Sequence, residues 1–564
     1  MTDYDTTVLV VGAGPAGLTL AASLLRYGVS VRIIDKASVP PDDRSRALVL
    51  QPRTLEVFDD LGIVDEALSA GLVVERLNVY SRSGHKGSAM FGMRFLDSPY
   101  SNLLTLPQDE TERILDELLT RLGGRVERGV ELTDYQDHGD GVRATLRHAD
   151  GRREDTRARW IVGCDGAHST VRHAAKLDFP GITYADEGLL GDIYVDWNLP
   201  ARQVSLCPQR DGFLLVFPLR DAKHFRVIMI LPRNERADER QLELDEFREQ
   251  LVRMMPPGMG ANGGPPVIER ALWLTRYRLH CRGVKSYRAG NAFLAGDAAH
   301  IHSPVGAQGM NTGIQDAYNL AWKLALVDRG DSPVALLDTY SFERHHVGEI
   351  LLRGTDRMFA AVAGGGAIST LARTFAPIFA TRLFGLAWIN RKLAKFVSQL
   401  GIRYRDSPLS DEGPGAKKLG RGVPRAGDRA PDASILDYES GAERLFDLFR
   451  GPHYTMLVFG GDAPTDRAWR DHIQSTFGRL VRVVGISRLA VSAGGDVVDE
   501  SGEAHRKYGA TNGALYLIRP DGYIGFKGGP SDQAALESDL AWRFTPVLPV
   551  DESMSVPAVP APTR

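Results

Sequence analysis

Residues 6–35 read TTVLVVGAGPAGLTLAASLLRYGVSVRIID, and this stretch decides the fold. Its first six residues are apolar or β-branched, and residues 29–34 repeat that pattern, so both segments predict buried strands. Between them, residues 15–27 place small and apolar side chains at helical spacing and predict a helix. A strand, a helix and a second strand in this order predict a βαβ unit with parallel strands.

A glycine motif occupies the turn between the first strand and the helix. Gly12 permits the tight turn, Gly14 lets backbone amides approach a pyrophosphate, and Gly17 lets the helix pack closely on the sheet. Glycines alone are also explained by turn geometry, but Asp35 lies at the spacing expected of a ribose-binding acid. The predicted dinucleotide site comprises Gly12, Ala13, Gly14, Pro15, Ala16, Gly17, Asp35 and Lys36.

The composition excludes several classes of function. The chain has 564 residues, of which 43% are hydrophobic and 25% charged, values typical of a globular enzyme with several compact units. A formal net charge of -3 disfavours a nucleic-acid partner. Three widely spaced cysteines provide neither a disulfide framework nor a metal site, which favours a cytoplasmic protein. Glycines and a proline interrupt the apolar N-terminal stretch, so no membrane span is predicted.

Two further glycine turns follow predicted strands. In the first, Asp165-Gly166 ends a strand in a polar turn, and an ordinary strand exit also explains this pattern. In the second, Gly296-Asp297 follows the apolar residues 292–295 and leads into a helix around residues 311–327. The glycines and helix start of this second turn suit a phosphate or an aromatic ring.

The pattern between these two turns differs from that of the N-terminal region. From about residue 181 to 280, alternating and aromatic segments predict an inserted sheet, after which the α/β pattern resumes and continues as alanine-rich helix to about residue 400. The predicted fold is α/β, with a discontinuous Rossmann-like dinucleotide-binding domain and helical extension (1–180 and 281–400), an inserted β-sheet domain (181–280), a linker (401–432), a separate C-terminal unit (433–549) and a frayed tail (550–564).

Taken together, the three motifs resemble those of the class A flavoprotein monooxygenases, the family of phenol hydroxylase and the aromatic polyketide hydroxylases, over nearly the whole chain. The resemblance implies that the discontinuous domain binds FAD and that the inserted sheet domain binds the substrate. The first motif then contacts the adenylate of FAD, the second contacts FAD and NAD(P)H, and the third contacts the ribityl chain of FAD. The resemblance implies further cofactor contacts at Arg44, Arg46, Gln108, Asp165, Gly166, Asp297, Gly309, Met310 and Asn311. The C-terminal unit resembles the thioredoxin-like domain of this family, but without cysteine it is predicted to serve packing or homodimer formation.

The resemblance also implies a reaction. NADPH or NADH reduces FAD, dioxygen adds at the flavin C4a carbon, and the hydroperoxide transfers one oxygen atom to a small aromatic substrate. Pro304 and Arg46 are the predicted catalytic residues, and His300 and His302 are minor candidates for a base, since histidines more often satisfy local hydrogen bonds. Leu48, where phenol hydroxylase has an acid, favours a multi-ring or polyketide-like substrate. The predicted substrate contacts are Tyr194, Trp197, Phe217, Leu219 and Phe225, although strand aromatics usually belong to a core.

Three alternatives share parts of this pattern. The same flavin peroxide can insert oxygen beside a ketone in a Baeyer–Villiger reaction. A non-catalytic binding protein of flavoprotein fold could lose its flavin contacts, whereas this chain retains Asp35, Gln108 and Asp297 together. A flavin oxidase or dehydrogenase shares the first motif only, so the second motif favours an enzyme that uses NAD(P)H.

Overall fold

The structure is a computed structural model that describes residues 4–40, 47–81, 84–90, 96–209, 212–232, 241–302, 307–363, 387–437, 440–460, 464–488 and 497–544. Three predicted site residues, Arg44, Arg46 and Pro304, lie outside these ranges, as does the predicted tail at 550–564. Two large sheets and a smaller C-terminal sheet, with helices packed against them, organise the described residues.

The N-terminal region contains the predicted βαβ unit. Strand β1 lies between β2 and β11 in a parallel arrangement, with Val10 opposite Ile33 and Val162. Residues 126–137 form two strands, β8 and β9, because Gly129, at a φ of 69°, interrupts the extended backbone between them. The elements are β1 (Thr6–Val11), α1 (Pro15–Arg26), β2 (Val31–Asp35), β3 (Val49–Leu50), α2 (Pro52–Leu61), α3 (Val64–Ala70), β4 (Leu72–Val74), β5 (Arg76–Ser81), β6 (Gly84–Met90), β7 (Leu103–Thr105), α4 (Gln108–Arg121), β8 (Val126–Arg128), β9 (Val130–Asp137), β10 (Val142–His148), β11 (Arg153–Gly163) and α5 (Thr170–Ala174).

The central region builds the second large sheet. Its strands follow the order β19-β16-β12-β15-β14-β13-β5-β6. Strand β13 pairs in parallel with β5, Val204 opposite Leu77, so the sheet is not confined to the predicted limits of 181–280. The elements are β12 (Gly181–Asp196), β13 (Gln203–Gln209), β14 (Gly212–Pro218), β15 (His224–Pro232), α6 (Leu244–Met254), β16 (Val267–Gly283), β17 (Arg288–Ala289), β18 (Ala292–Leu294), β19 (His300–Ile301), α7 (Gly309–Asp328), α8 (Asp338–Ala363) and α9 (Ala387–Val397).

Both faces of this second sheet are apolar. Phe225 and Met229 belong to the face that packs against Phe247 of α6, whereas Phe217 and Ile228 belong to the opposite face. Side chains of a strand alternate between its two faces, so each strand contributes to both cores. The face with Phe217 and Ile228 remains available to form a cavity wall beside the first sheet.

The C-terminal region forms a mixed sheet in the order β20-β25-β24-β21-β22-β23. Its first strand comes from the predicted linker, because Asp411 and Glu412 pair with β25. Residues 401–432 are therefore part of a packed unit and not a free linker, and Tyr404 within them is only 5% exposed. The elements are β20 (Asp411–Glu412), α10 (Leu445–Phe449), β21 (Tyr454–Phe459), α11 (Pro464–Phe477), β22 (Val481–Ser487), β23 (Val497–Val498), α12 (Glu503–Tyr508), β24 (Ala514–Ile518), β25 (Ile524–Gly528) and α13 (Gln533–Arg543).

Helices cross a membrane only when they are long and mainly apolar. Within the ranges given above, none is long and apolar enough to cross a membrane. The same residues contain no group of three His, Cys, Asp or Glu side chains placed to hold a metal ion.

Candidate functional site

The first two glycine motifs lie against each other. Gly12 adopts a φ of 99°, and a Cβ there would lie 2.4 Å from the Cys164 carbonyl oxygen in the second motif. A Cβ at Gly17 would lie 1.9 Å from the carbonyl oxygen of Gly12. Both positions require glycine because backbone occupies the space of a side chain. The helix α1 therefore begins in direct contact with the strand exit that carries Asp165.

The third motif joins this contact through small residues and one carboxylate. A Cβ at Gly296 would lie 3.3 Å from the Cβ of Ala16, and one at Gly313 would lie 3.0 Å from the Cα of Gly296. The fully buried Asp316 accepts hydrogen bonds from the Gly296 amide at 3.1 Å and shares one with His300 at 2.7 Å. Helix α7 is thus fixed to the turn that contains Asp297.

A cavity of about 400 Å³ opens where the three motifs meet. One wall is formed by predicted cofactor residues, namely Gly14, Pro15, Ala16, Gln108, Gly166, Asp297, Gly309 and Met310. The facing wall comes mainly from the second sheet and includes Leu190, Phe217, Ile228, Tyr277 and Leu279. Backbone and polar groups therefore oppose an apolar surface, an arrangement typical of a small-molecule site.

Space at two glycines supports a cofactor cradle. No heavy atom lies within 4 Å of a Cβ built at Gly309, and at Gly14 the single neighbour is Glu112 Oε1 at 4.0 Å. Both residues line the cavity. A phosphate at the start of α1 and a ring at the start of α7 would each meet backbone without a side chain between them. The cradle fits a dinucleotide that carries a ring.

Asp35 closes the predicted dinucleotide loop. Its carboxylate accepts hydrogen bonds from the backbone amides of Ala13 at 2.7 Å and Ala37 at 2.8 Å. These bonds fix the carboxylate beside the loop, where the sequence predicts a ribose contact. Lys36 is exposed next to it.

Gln108 lies in the cavity wall and forms a hydrogen bond with a buried acid behind it. Its Nε2 donates to Glu112 Oε1 at 2.7 Å. Glu112 is 7% exposed, and burial raises the pKa of its carboxyl to about 7. The family resemblance indicated Gln108 but not Glu112. Glu112 lies one helical turn after Gln108 in α4, and this spacing was the available sign in the sequence that it belongs to the site.

Asp165 caps a helix beside the cavity. One of its oxygens accepts hydrogen bonds from the amides of Thr170 at 2.7 Å and Val171 at 3.3 Å at the start of α5. Burial raises the pKa of this carboxyl above its ordinary value. The neighbouring Gly166, not Asp165, lines the cavity.

Asn311 joins two cavity walls with its side chain. The Nδ2 group donates to the carbonyls of Val49 at 2.7 Å and Ala307 at 2.9 Å. Its Oδ1 accepts from the Gln51 amide at 2.9 Å. The predicted contact of Asn311 with a ring would therefore involve its backbone, since the side chain serves the protein interior.

The two histidines lie in different surroundings. His300 is completely buried and paired with Asp316, which Arg344 also binds at 2.6 Å, so it belongs to a structural network. His302 lines the cavity, and among the described residues neither of its ring nitrogens has a hydrogen-bond partner. Burial, with His300 nearby, holds the pKa of His302 well below its ordinary value, so the ring is neutral at neutral pH.

The predicted substrate contacts are divided between the two faces of the second sheet. Phe217 lines the cavity, and Leu219 packs in the same cluster with Leu48. Trp197 and Phe225 instead pack together on the other face, with ring centroids 4.8 Å apart. Trp197 and Phe225 were predicted to contact the substrate, but they are not among the residues that line the cavity. Successive side chains of a strand point to opposite faces of its sheet, and these two rings lie on the face away from the cavity.

Tyr194 also lies away from the described cavity lining. Its hydroxyl donates to Asp221 at 2.9 Å, and its ring stacks on His224 with centroids 4.6 Å apart. These contacts are those of a partly exposed strand residue. Aromatic character in a strand gives no information about which face of the sheet the ring occupies.

A buried ion pair lies near the cavity, and the sequence analysis did not predict it. Arg226 and Asp192 form a bidentate pair at 2.6 and 2.7 Å, and Arg226 also donates to the Ala47 carbonyl at 3.0 Å. The pair thereby anchors the segment that follows Arg46. An arginine within the otherwise apolar residues 225–231 was the available signal, since such a residue is rarely buried unless paired.

Known protein families match both halves of this arrangement. Residues 5–355 match the FAD binding domain family, and residues 423–546 match the family described as aromatic-ring hydroxylase, C-terminal. The 6-methylpretetramide 4-monooxygenase of Streptomyces rimosus is 34% identical over 535 residues, covering 94% of this chain and 92% of that protein. The pentachlorophenol 4-monooxygenase of Sphingobium chlorophenolicum is 33% identical over 545 residues, covering 93% and 94%.

Solved structures extend the similarity to the whole architecture. The anhydrotetracycline hydroxylase OxyS from Streptomyces rimosus superposes with a TM-score of 0.75 at 27% identity, covering 96% of this chain and 99% of that one. CabE, an aromatic hydroxylase from angucycline biosynthesis, gives a TM-score of 0.75 at 30% identity, covering 96% and 100%. Both similarities include the C-terminal unit as well as the two large sheets.

Proposed function

The chain belongs to the FAD-binding aromatic-ring hydroxylases, and on that premise we propose that it hydroxylates a phenolic substrate with several fused rings, of the polyketide type. The reaction consumes NADPH or NADH and dioxygen and adds one oxygen atom to the ring. Two relatives named above act, by their names, on a pretetramide and on pentachlorophenol, so both multi-ring and single-ring substrates occur among the similar proteins.

The apolar cavity wall is the observation that carries this proposal. Phe217, Ile228 and Leu279 face the cofactor cradle, and Leu48 and Leu219 extend the same cluster. Against these apolar side chains a benzoate carboxylate would find no hydrogen-bond donor, at a substantial cost in free energy. A fused-ring phenol would instead bury its rings there and leave its hydroxyl to the polar side of the cavity.

The residues of the cradle have distinct proposed roles. FAD, when bound, supplies electron transfer and the activation of dioxygen. We assign the adenylate and pyrophosphate to the Gly12–Gly17 loop and Asp35, the ribityl chain to Gln108 and Asp297, and the ring to the backbone at 309–311. The N-terminus of α7 places amide dipoles where negative charge on the reduced ring would be stabilised. The apolar wall excludes water from the reacting carbon.

We also propose a cellular compartment for the protein and an association between two of its copies. Cys164, Cys207 and Cys281 all belong to the described residues and form no disulfide, which supports a reducing cytoplasm. Trp542 of the C-terminal unit is 56% exposed, and we propose that two copies associate through this unit with the indole in the interface. Sedimentation equilibrium of the wild type and the Trp542→Ser variant would measure that association.

The activity is tested by following NADPH or NADH oxidation with purified, FAD-reconstituted protein. The panel contains phenol, 4-hydroxybenzoate, 1-naphthol and 1,8-dihydroxyanthraquinone. We expect the fused-ring phenols to stimulate oxidation and to yield a product heavier by one oxygen atom, located on the ring by NMR. Turnover of 4-hydroxybenzoate alone would contradict the proposed substrate class, and absence of flavin reduction by either nucleotide would contradict the proposed reaction.

The buried carboxyl of Glu112 predicts a pH-dependent affinity for FAD. Its pKa of about 7 means that it loses its proton between about pH 6 and pH 8. It lies beside Gly14, where the pyrophosphate is proposed to bind, and two like charges disfavour each other. FAD affinity should therefore fall as the pH rises through this range, by up to about tenfold per unit for one linked proton.

Fluorescence titration of the apoprotein with FAD at three pH values measures this dependence. Glu112→Gln should bind FAD with an affinity that no longer changes over the range, since the titrating group is gone. Glu110→Gln is the matched control, because Glu110 is an exposed residue of the same helix, paired with Arg113. An unchanged pH dependence in Glu112→Gln would disprove the linkage.

A further inference from the structure

Three residues other than glycine adopt a left-handed backbone in the described parts of the chain. They are Lys176 at a φ of 55°, Ala307 at 52° and Gln399 at 58°. Such a conformation costs free energy and persists when the surroundings fix it, which happens often at functional sites. Lys176 lies on the surface, whereas Ala307 and Gln399 both adjoin one buried cluster beneath the cavity.

This cluster, which we name the amide cluster, consists of side-chain amides. Its members are Gln51, Gln308, Asn311, Gln315 and Gln399, each between 0% and 5% exposed. Side chains of this kind are rarely buried, and burying one is favourable only when it is hydrogen-bonded. Of the five, Gln308 lines the cavity, so the cluster lies directly behind the cavity wall.

The hydrogen bonds of the amide cluster run in one direction. Gln315 Nε2 donates to Gln399 Oε1, so the Nε2 of Gln399 is the group that donates to Gln308 Oε1. Gln399 Nε2 also donates to the Thr312 hydroxyl at 3.1 Å. A rotated Gln399 amide would place two NH₂ groups against each other, so the network fixes its orientation.

The same cluster holds the left-handed turn at Ala307. The Ala307 carbonyl accepts hydrogen bonds from Asn311 Nδ2 at 2.9 Å and Gln51 Nε2 at 3.2 Å. The Thr312 hydroxyl donates to the carbonyl of Gln308 at 2.8 Å. The backbone from Ala307 to Thr312 is thus fixed from both sides, and Ala307, Gln308 and Gly309 line the cavity.

From this geometry we infer that Gln399 is a positioning residue for the cofactor ring. It acts through Gln308 and Thr312 and holds the turn before α7 in the conformation that receives the ring. Gln399 lies 91 positions from Gln308 in sequence, just beyond helix α9. The segment directly after α9 therefore helps to shape the binding site. This inference rests on the proposed function, since the ring is that of FAD.

Two substitutions at Gln399 separate positioning from stability. Gln399→Met keeps the volume and the strained backbone but removes the hydrogen bonds. Gln399→Gly removes the same hydrogen bonds and relieves the left-handed backbone, but it also leaves a cavity in place of a buried side chain, so the two variants should melt at different temperatures. If Gln399 positions the ring, both variants weaken FAD binding to a similar extent, by about tenfold or more, although their melting temperatures differ.

The measurements use the full chain. Fluorescence titration gives the dissociation constant of FAD, the visible spectrum reports the surroundings of the ring, and thermal unfolding gives the melting temperature. Lys176→Gly is the matched control, because it relieves the same kind of backbone on the surface. We expect it to raise the melting temperature and leave FAD affinity within about twofold of the wild type.

Three results would decide against the inference or its premise. FAD affinity that follows melting temperature, with the more stable of the two variants binding as tightly as the wild type, would show a purely structural role and overturn the inference. Unchanged hydrogen exchange of residues 307–312 in the FAD-free variants would overturn it as well, because a positioning role predicts faster exchange there. A wild type that does not bind FAD would instead overturn the proposed function.

Discussion

Gly17→Ala is expected to abolish stable binding of FAD. Alanine is the better helix former by about 1 kcal/mol, so helix propensity alone would predict a more stable protein. In this fold, however, the new Cβ would lie 1.9 Å from the Gly12 carbonyl oxygen and 3.3 Å from the Cβ of Cys164. The helix must move away from the loop, and with it the amides that the pyrophosphate would meet. We expect the dissociation constant of FAD to rise at least about a hundredfold.

The measurement is a fluorescence titration with FAD, combined with circular dichroism to show that the variant is folded. Gly264→Ala is the control, since a Cβ at Gly264 meets no heavy atom within 4 Å and its φ is not left-handed. It should bind FAD as the wild type does. A Gly17→Ala protein that still carries yellow flavin through gel filtration would contradict the close approach of the two backbones.

Arg519→Met is expected to cause the largest loss of stability. Arg519 lies in the C-terminal unit and is completely buried, with its guanidinium 2.6 Å from Glu343 and 2.5 Å from Asp521. Glu343 also pairs with Lys323 at 2.8 Å, so two cations and two carboxylates balance one another away from water. Removing one cation leaves an excess negative charge in the interior, which costs about 3–5 kcal/mol.

Chemical unfolding of the two proteins measures this difference. Arg113→Met is the control, because Arg113 pairs with Glu110 and Glu117 on the surface of α4 and is about half exposed. Surface pairs contribute about 0–1 kcal/mol, so this variant should unfold close to the wild type. Equal unfolding midpoints for Arg519→Met and the wild type would show that the buried cluster contributes no net stability.

The sequence predicted those parts of the fold that depend on local pattern. Strand β1 was predicted with its observed limits, because six consecutive apolar or β-branched residues followed by glycine leave little freedom. The inserted sheet was also predicted, but not the participation of β5, which pairs with β13 from a distant part of the chain. Pairing between distant segments leaves no trace in the periodicity of either one.

In the candidate site, too, the sequence predicted residues that belong to a local motif and missed those that depend on contacts between distant segments. The three glycine motifs were found because each requires particular residues at fixed spacing. The side of the sheet on which Phe217 and Phe225 lie could not be inferred, since it depends on strand register. Gln399 and Glu112 were not found, because their roles arise from contacts with α7 and α1 and their own neighbours in sequence give no motif.

The buried cluster around Glu343 also has a consequence for how the protein is made. Lys323 and Glu343 belong to helices α7 and α8, yet their partner Arg519 follows Glu343 by 176 residues. During synthesis on the ribosome, which adds about 5–20 residues per second, those two helices emerge many seconds before Arg519 does. Until then, Glu343 lacks one of the two cations that pair with it. The protein therefore completes the packing of α7, where we propose that the flavin ring binds, only after the C-terminal unit has left the exit tunnel.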